Sequence, residues 1–212
     1  MIRPAAKHIA DSTVRRLSLY LRFLEEAGAR GQPTISSGAL AELGGTTSAQ
    51  VRKDLSFFGS FGKRGLGYPV PELVARLRDI LGLERHWRVV IVGAGRIGSA
   101  LSQYPGFRQR GFMVVAVYDN DRDKIGLQWD GHHIRDIAEL EKDARHEHPD
   151  IAVLAVPESN AQSTADLIVR TGIKAILNFA PTPLHVPPDV TVKTVNMAME
   201  LEVLSYVLAH RK

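Results

Sequence analysis

Cysteine is absent from the 212 residues, which removes disulfides, thiolate metal sites and thiol redox chemistry. Any response to redox state then has to come through a bound cofactor. No apolar run approaches the roughly eighteen residues of a membrane helix, and the opening MIRPAAKHIADSTVRR lacks the apolar core of a secretory signal. Both absences predict a soluble, cytoplasmic chain. Repeats and low-complexity tracts are missing too. Histidines are present but not in a pattern that suits a metal or an acid–base pair: His132-His133 sits between a glycine turn and a strand, and His146 and His148 fall at a helix end. No metal is expected.

Hydrophobic residues make up 44% of the chain, enough for packed cores in one large domain or two modest ones. The formal charge of +4 is unevenly placed. Residues 1–70 hold ten Lys/Arg against five Asp/Glu, an excess of +5, whereas residues 71–212 hold seventeen against eighteen, or −1. A small domain of that sign suits a phosphate backbone.

The apolar spacing of Val14, Leu17, Leu21 and Leu24 predicts a helix over 13–27, with Asp11 or Ser12 able to cap its start and Gly28 to stop it. Ser36 or Ser37 opens a second, short helix through Leu43. Gly44-Gly45 ends it, and Thr46 or Thr47 caps a third from about Ser48 to Phe58. In that third helix Val51, Leu55 and Phe58 form one stripe, leaving Gln50, Arg52, Lys53 and Ser56 to face elsewhere. Two helices joined by a tight glycine turn make a helix-turn-helix, and the following GSFGKRGLGYPVP reads as a β-hairpin wing carrying Lys63 and Arg64. Pro71 then starts a helix that ends near Gly82.

From Trp87 the pattern changes to short apolar runs between helical stretches, the signature of βαβ units on a parallel sheet. WRVVIVG, FMVVAVYD, IAVLAV, KAILNF and VTVKTV are the strands, with helices around 137–146 and 160–170. Gly93-Ala94-Gly95-Arg96-Ile97-Gly98 follows the first strand and opens a helix, as a dinucleotide fingerprint must. In such a turn Gly93 bends the chain, Gly95 admits a pyrophosphate and Gly98 lets helix and strand pack closely. Asp119, ending the second strand twenty-four residues after Gly95, can accept from ribose hydroxyls and would repel a 2′-phosphate, which favours NAD over NADP. A dehydrogenase would also need an acid or base and a substrate domain. Neither is evident, so a bound, untransferred hydride is expected rather than an enzyme. A last helix, 199–209, places Leu201, Leu204, Val207 and Leu208 on one face, to dock on its own sheet or on a partner subunit.

Over nearly the whole chain, SAQVRKDLSFFGSFGKRGLGYPV, IVGAGRIGSALSQYPGF, YDNDRDKIG and GIKAILNFAP resemble the Rex family of redox-sensing repressors. The resemblance implies a homodimer that binds operator DNA through Ser48, Gln50, Arg52, Lys53, Ser56, Lys63 and Arg64. It also implies NAD+ and NADH as ligands, and release of DNA when NADH rises. It divides the chain into a winged helix-turn-helix domain over 1–82, a doubly wound Rossmann domain over 83–195, and a C-terminal helix over 196–212 exchanged between subunits. Family members read the nicotinamide state with an arginine in the first helix, a tyrosine after the glycine-loop helix and an acid before the last helix. Arg22 and Tyr104 match, but Asn196-Met197 stands where many members have Asp-Phe. Asn196 is therefore either a weaker partner for Arg22 and Tyr104 or simply a helix cap.

Overall fold

A computed structural model describes residues 9–59, 62, 66–129 and 131–211. They fall into two compact units, divided between Arg85 and His86. No described helix is long and apolar enough to cross a membrane.

The first unit is built on α1 (Asp11–Ala29), α2 (Ser37–Leu43), α3 (Ser48–Ser56) and α4 (Val70–Ile80). Thr13, Leu17, Tyr20, Leu21, Leu24 and Ala27 form the buried stripe of α1, and they meet Leu40, Val51, Leu55, Leu73 and Leu77 from the other three helices. Each fully buried leucine contributes about 1.5–3 kcal/mol. Val14, expected on this stripe, is exposed. The helix also begins one turn-position earlier than expected, on Ala10, without a side-chain cap. Asp11 instead sits inside the first turn, where its charge opposes the positive end of the helix dipole. Ser36 and Thr47 cap α2 and α3 as side-chain acceptors.

Helix α3 ends at Ser56 rather than Phe58 because Phe58 N–H closes a tighter turn on the Leu55 carbonyl and Gly59 takes a positive φ of 129°. The middle of the segment expected to form the hairpin wing, Lys63 and Arg64 included, lies outside the described residues. Strand β1 (Thr34–Ile35) runs antiparallel to β2 (Tyr68–Pro69), so the segment after α3 returns to the strand before α2. Gly62 and Gly67 make this return possible: a Cβ on Gly62 would lie 2.5 Å from the Gly67 oxygen, and one on Gly67 would lie 2.6 Å from the Ile35 oxygen.

The second unit is a seven-stranded sheet. Its strands are β3 (Trp87–Val92), β4 (Phe112–Asp119), β5 (Gln128–Trp129), β6 (His132–Asp136), β7 (Ile151–Leu154), β8 (Ala175–Asn178) and β9 (Thr191–Thr194). Their order is β5-β6-β4-β3-β7-β8-β9, parallel throughout except for β5, which is antiparallel to β6. Omitting β5, this is the doubly wound order of a Rossmann fold, whose direction of winding reverses beside β3. Side chains alternate across it. Val90, Val92, Ala152 and Leu154 face α7 (Leu140–Glu147) and α8 (Glu158–Arg170), while Val89, Ile91, Val117 and Val153 face Leu101 of α5 (Arg96–Ser102).

Strand β5 and the short helix α6 (Pro105–Gln109) were not foreseen, and the strand expected after His132-His133 includes both histidines. His132 and His133 lie within β6 itself, with His133 Nδ1 on the Gly126 carbonyl at 3.1 Å. The last helix, α9, spans Met197–Ala209, and every one of its residues is exposed. Leu201, Leu204, Val207 and Leu208 share one face as expected, but the apolar surface is wider: at 100° per residue Met199, Val203 and Tyr206 extend it to about 220° of the circumference.

Candidate functional site

Two constellations carry chemistry, one in each unit. In the first, α3 is fixed by a buried carboxylate. Asp54 is fully buried between Val51 and Leu55. Arg16 of α1 donates Nε and Nη2 to its two oxygens at 2.6 and 2.8 Å, Tyr20 donates its hydroxyl at 3.1 Å, and Gln50 donates its amide Nε2 at 2.8 Å. Burial alone would raise the Asp54 pKa, but the hydrogen bonds from Arg16, Gln50 and Tyr20 outweigh it and hold the carboxyl below its ordinary range. Burial, followed by the bond to Asp54, pushes the Tyr20 phenol up to about 12. At neutral pH, therefore, Asp54 only accepts, and Tyr20 keeps the proton it donates.

The opposite face of α3 exposes Ala49, Arg52, Lys53 and Ser56. Arg52 Nη1 donates to Ser37 Oγ at 3.1 Å, bracing α2 against α3, and Ser56 Oγ donates to the Lys53 carbonyl at 2.7 Å. Lys53 extends freely from the middle of this face. Ser48 and Gln50 are half-buried at its margins. The expectation that Gln50 faces wholly away from the domain is corrected by its bond to Asp54. Lys63 and Arg64 lie outside the described residues. Sequence reasoning missed Asp54 itself, although a charge interrupting the apolar stripe Val51–Leu55 was the available signal.

In the second unit, the carboxyl ends of β3, β4 and β7 open into a crevice of about 440 Å³ lined by Gly93, Gly95, Asp119, Lys124, Asn160 and Thr164, among others. The three fingerprint glycines have different reasons to be glycine. Gly93 has φ 107°, and a Cβ there would lie 2.3 Å from the Ala155 oxygen. A Cβ on Gly98 would lie 1.9 Å from the Gly93 oxygen. Gly95 has an ordinary φ of −92°, and a Cβ there would meet no atom of the chain within 4 Å. Nothing within the protein requires glycine at 95. What its missing side chain preserves is close access to the backbone N–H groups of Arg96, Ile97 and Gly98, which begin α5 and have no partner in the helix. That fits a phosphate-bearing ligand.

Asp119 is buried and organises the loop. Its Oδ2 accepts from Ala94 N–H at 2.6 Å and its Oδ1 from Asp121 N–H at 2.8 Å, while Lys124 Nζ lies 3.5 Å from Oδ2 and 3.1 Å from Asp121 Oδ2. Its role was expected to be acceptance from a ribose. Two of its acceptor positions are instead occupied by main chain, leaving the remaining lone pairs toward the crevice. Lys124, Asn160 and Thr164 were not foreseen, since each comes from a different stretch of chain with no local motif. Among the described residues no group of three or more His, Asp or Glu is placed to hold a metal.

The remaining predicted residues are spread over both units. Arg22 is exposed on α1 of the first. In the second, Tyr104 packs edge-on to Phe107 with ring centroids 5.4 Å apart, its ring directly over Gly106. Asn196 caps α9: its Oδ1 accepts from Ala198 and Met199 N–H at 3.0 and 3.3 Å. Met197 begins that helix, exposed.

Comparison with known proteins matches the two units separately. Residues 8–56 match a family described as "Putative DNA-binding protein N-terminus", and residues 84–182 match a "CoA binding domain". The redox-sensing transcriptional repressor Rex of Carboxydothermus hydrogenoformans is 48% identical over 198 residues, covering 93% of this chain and 95% of that protein. Among solved structures, RSP in complex with β-NAD+ and operator DNA aligns with a TM-score of 0.91 at 39% identity, covering 95% of this chain and 93% of the other. RSP in complex with β-NADH aligns with a TM-score of 0.87 at 38% identity, covering 95% of each chain. With relatives of this identity matched over nearly their full length, and with a basic helical unit joined to a Rossmann-like sheet, the chain belongs to the Rex family of redox-sensing transcriptional repressors.

Proposed function

We infer that this chain represses transcription by binding operator DNA through a winged-helix unit and leaves it when NADH occupies the crevice beside β3. The observation that carries the cofactor half is Gly95, a glycine explained by a ligand and by nothing in the chain. The NAD+, NADH and operator DNA held by RSP support the same ligands here. In this reading Gly93, Ala94, Gly95, Arg96, Ile97 and Gly98 receive the pyrophosphate through main-chain N–H groups. Asp119 shapes that loop and accepts from a ribose, which disfavours a phosphorylated ribose. The bound nicotinamide supplies a state, oxidised or reduced, and no hydride is passed on.

On the DNA side Arg52, Lys53 and Ser56 face a major groove, Ser48 and Gln50 flank them, and Lys63 and Arg64 reach the backbone or minor groove from the wing. Lys53→Ala is expected to weaken operator binding by about 1–3 kcal/mol if the ammonium reads a base. An unchanged affinity in a filter or fluorescence titration would remove Lys53 from the interface.

Helix α9 supports a homodimer. A helix with so broad an apolar surface belongs in a protein interior, yet α9 is entirely exposed in the single chain. A second copy, exchanging this helix, would bury it. Leu204→Asp with Leu208→Asp is expected to give a monomer in sedimentation analysis, where the parent sediments as a dimer. Arg22, Tyr104, Asn196 and Met197 are then the residues through which the nicotinamide state reaches the assembly, with Asn196 also capping α9.

NADH can release DNA only in so far as it binds the DNA-free state more tightly, and bound operator must weaken NADH binding by the same factor. The deciding experiment titrates a labelled operator duplex with the purified protein, with and without NADH, beside an assay for NADH oxidation over a metabolite panel. Release without turnover is the expected result. Binding indifferent to NADH would overturn the proposal.

A further inference from the structure

The amide of Gln50 is not free to choose which end it offers. Asp54 is ionised and accepts only, so the group facing it must be the Gln50 nitrogen; the reverse orientation would set a carbonyl oxygen against a carboxylate. Arg16 and Tyr20 hold that carboxylate from the α1 side, so the acceptor cannot swing away with the glutamine. Main-chain N–H of Gln50 is itself fixed on Thr47 Oγ1 at 3.1 Å, which sets the base of the side chain. The residue therefore stands in the first turn of α3 with its nitrogen turned inward. Among the described residues its carbonyl oxygen takes no hydrogen bond, and no side-chain oxygen without a partner is buried. That oxygen faces solvent.

We propose that Asp54 is a positioning residue that makes Gln50 an acceptor toward DNA, so that Gln50 selects a base with an exocyclic amino group in the major groove. The inference rests on α3 being the helix that enters the groove. Adenine offers N6–H and cytosine N4–H, whereas guanine offers two acceptors and thymine an acceptor and a methyl group. An untethered glutamine can turn its amide over and accommodate either kind of edge. A tethered one keeps its carbonyl oxygen outward, with the one amide N–H that Asp54 leaves free beside it, and that oxygen repels the acceptors of guanine and thymine, so its preference is adenine or cytosine on one strand. Placement at the N-terminal end of the helix, where recognition helices touch base edges, suits this role.

The test uses the full-length protein and a duplex it selects from a randomised pool, with every position of the selected sequence then replaced in turn. For the parent, one position per half-site is expected to accept adenine and cytosine interchangeably and to lose about fivefold or more in affinity with guanine or thymine. Replacing the adenine there by a purine lacking the amino group should cost a similar factor. Gln50→Ala should level all four bases at that position and leave the others unchanged. Asp54→Asn, whose amide can face Gln50 either way, should widen tolerance at that position alone; a merely structural role would weaken all positions together. If Asp54→Asn does not fold, the parent profile, the amino-deleted base and Gln50→Ala decide the matter.

No position with this preference, or one that Gln50→Ala leaves intact, overturns the proposal. Loss of affinity on Lys53→Ala with no change on Gln50→Ala would overturn it while sparing α3 as the reader. Indifference to both substitutions would sink α3 as the reader and this inference with it.

Discussion

Asp54→Ala is expected to destabilise the first unit by about 3 kcal/mol and to abolish operator binding with it. Removing one member of a buried ion pair costs about 3–5 kcal/mol because the partner is left without compensation. Arg16 keeps a quarter of its side chain exposed, which lets water recover part of the loss and sets the expectation at the lower end. Tyr20 and Gln50 lose their acceptor too. Because α1 and α3 are joined through this carboxylate, the variant should lose DNA binding at temperatures where its helical signal still persists.

The same cluster gives a pH signature with a definite sign. Asp54 has its folded pKa below the unfolded value, so its contribution is complete above about pH 4 and lost as pH falls through the folded value. Tyr20, raised to about 12, contributes below about pH 10 and loses that contribution as pH climbs through 12. Denaturant titrations of parent and Asp54→Ala at pH 7 and stepwise to pH 3 check the acid limb. The gap between the two proteins should shrink toward the acid end, and a constant gap would show that Asp54 is not titrating as described.

Gly95→Val should weaken NADH binding by about 100-fold, equivalent to roughly 2.7 kcal/mol, with no measurable change in unfolding temperature. A Cβ at this position meets nothing in the protein and the φ of −92° is ordinary for any residue, so the fold has little reason to respond. It stands instead where a phosphate has to approach main-chain N–H groups. Gly98→Ala makes the contrast. Its single methyl would lie 1.9 Å from the Gly93 oxygen, so loop and helix must separate, at about 1–3 kcal/mol of overpacking cost. Calorimetry of NADH binding beside thermal unfolding separates the two. A Gly95→Val protein that binds NADH normally would show that the crevice at β3 is not the cofactor site. If the proposed coupling holds, that variant should also stay on operator DNA at NADH concentrations that release the parent.

The sheet was legible because its strands announce themselves: VVIV and VVAV are buried on both faces and have no other use. The fingerprint was legible for a related reason, since three glycines with different steric duties recur at a fixed spacing. Local signals were weaker where partners come from afar. Strand β6 reads HHIRD, with one buried residue, Ile134, among polar ones, and its pairing with β4 and β5 sets its extent. Gln50 and Asp54 looked like two more polar positions on a helix. Their meaning depends on Arg16 and Tyr20, more than thirty residues away, and no periodicity within α3 encodes that. Helix α9 was legible only in part: its leucines fell on one face and suggested a narrow stripe, while Met199, Val203 and Tyr206 widen the apolar surface beside it.

Both margins of the parallel sheet are short. On one side it finishes in the two residues of β5, on the other in the four of β9, with Lys193 in its middle. Such stunted borders offer little template for another chain's backbone. A molecule displaying a greasy C-terminal rod needs that safeguard, because the rod invites contact between copies and a stunted border gives such contact no ladder along which to grow.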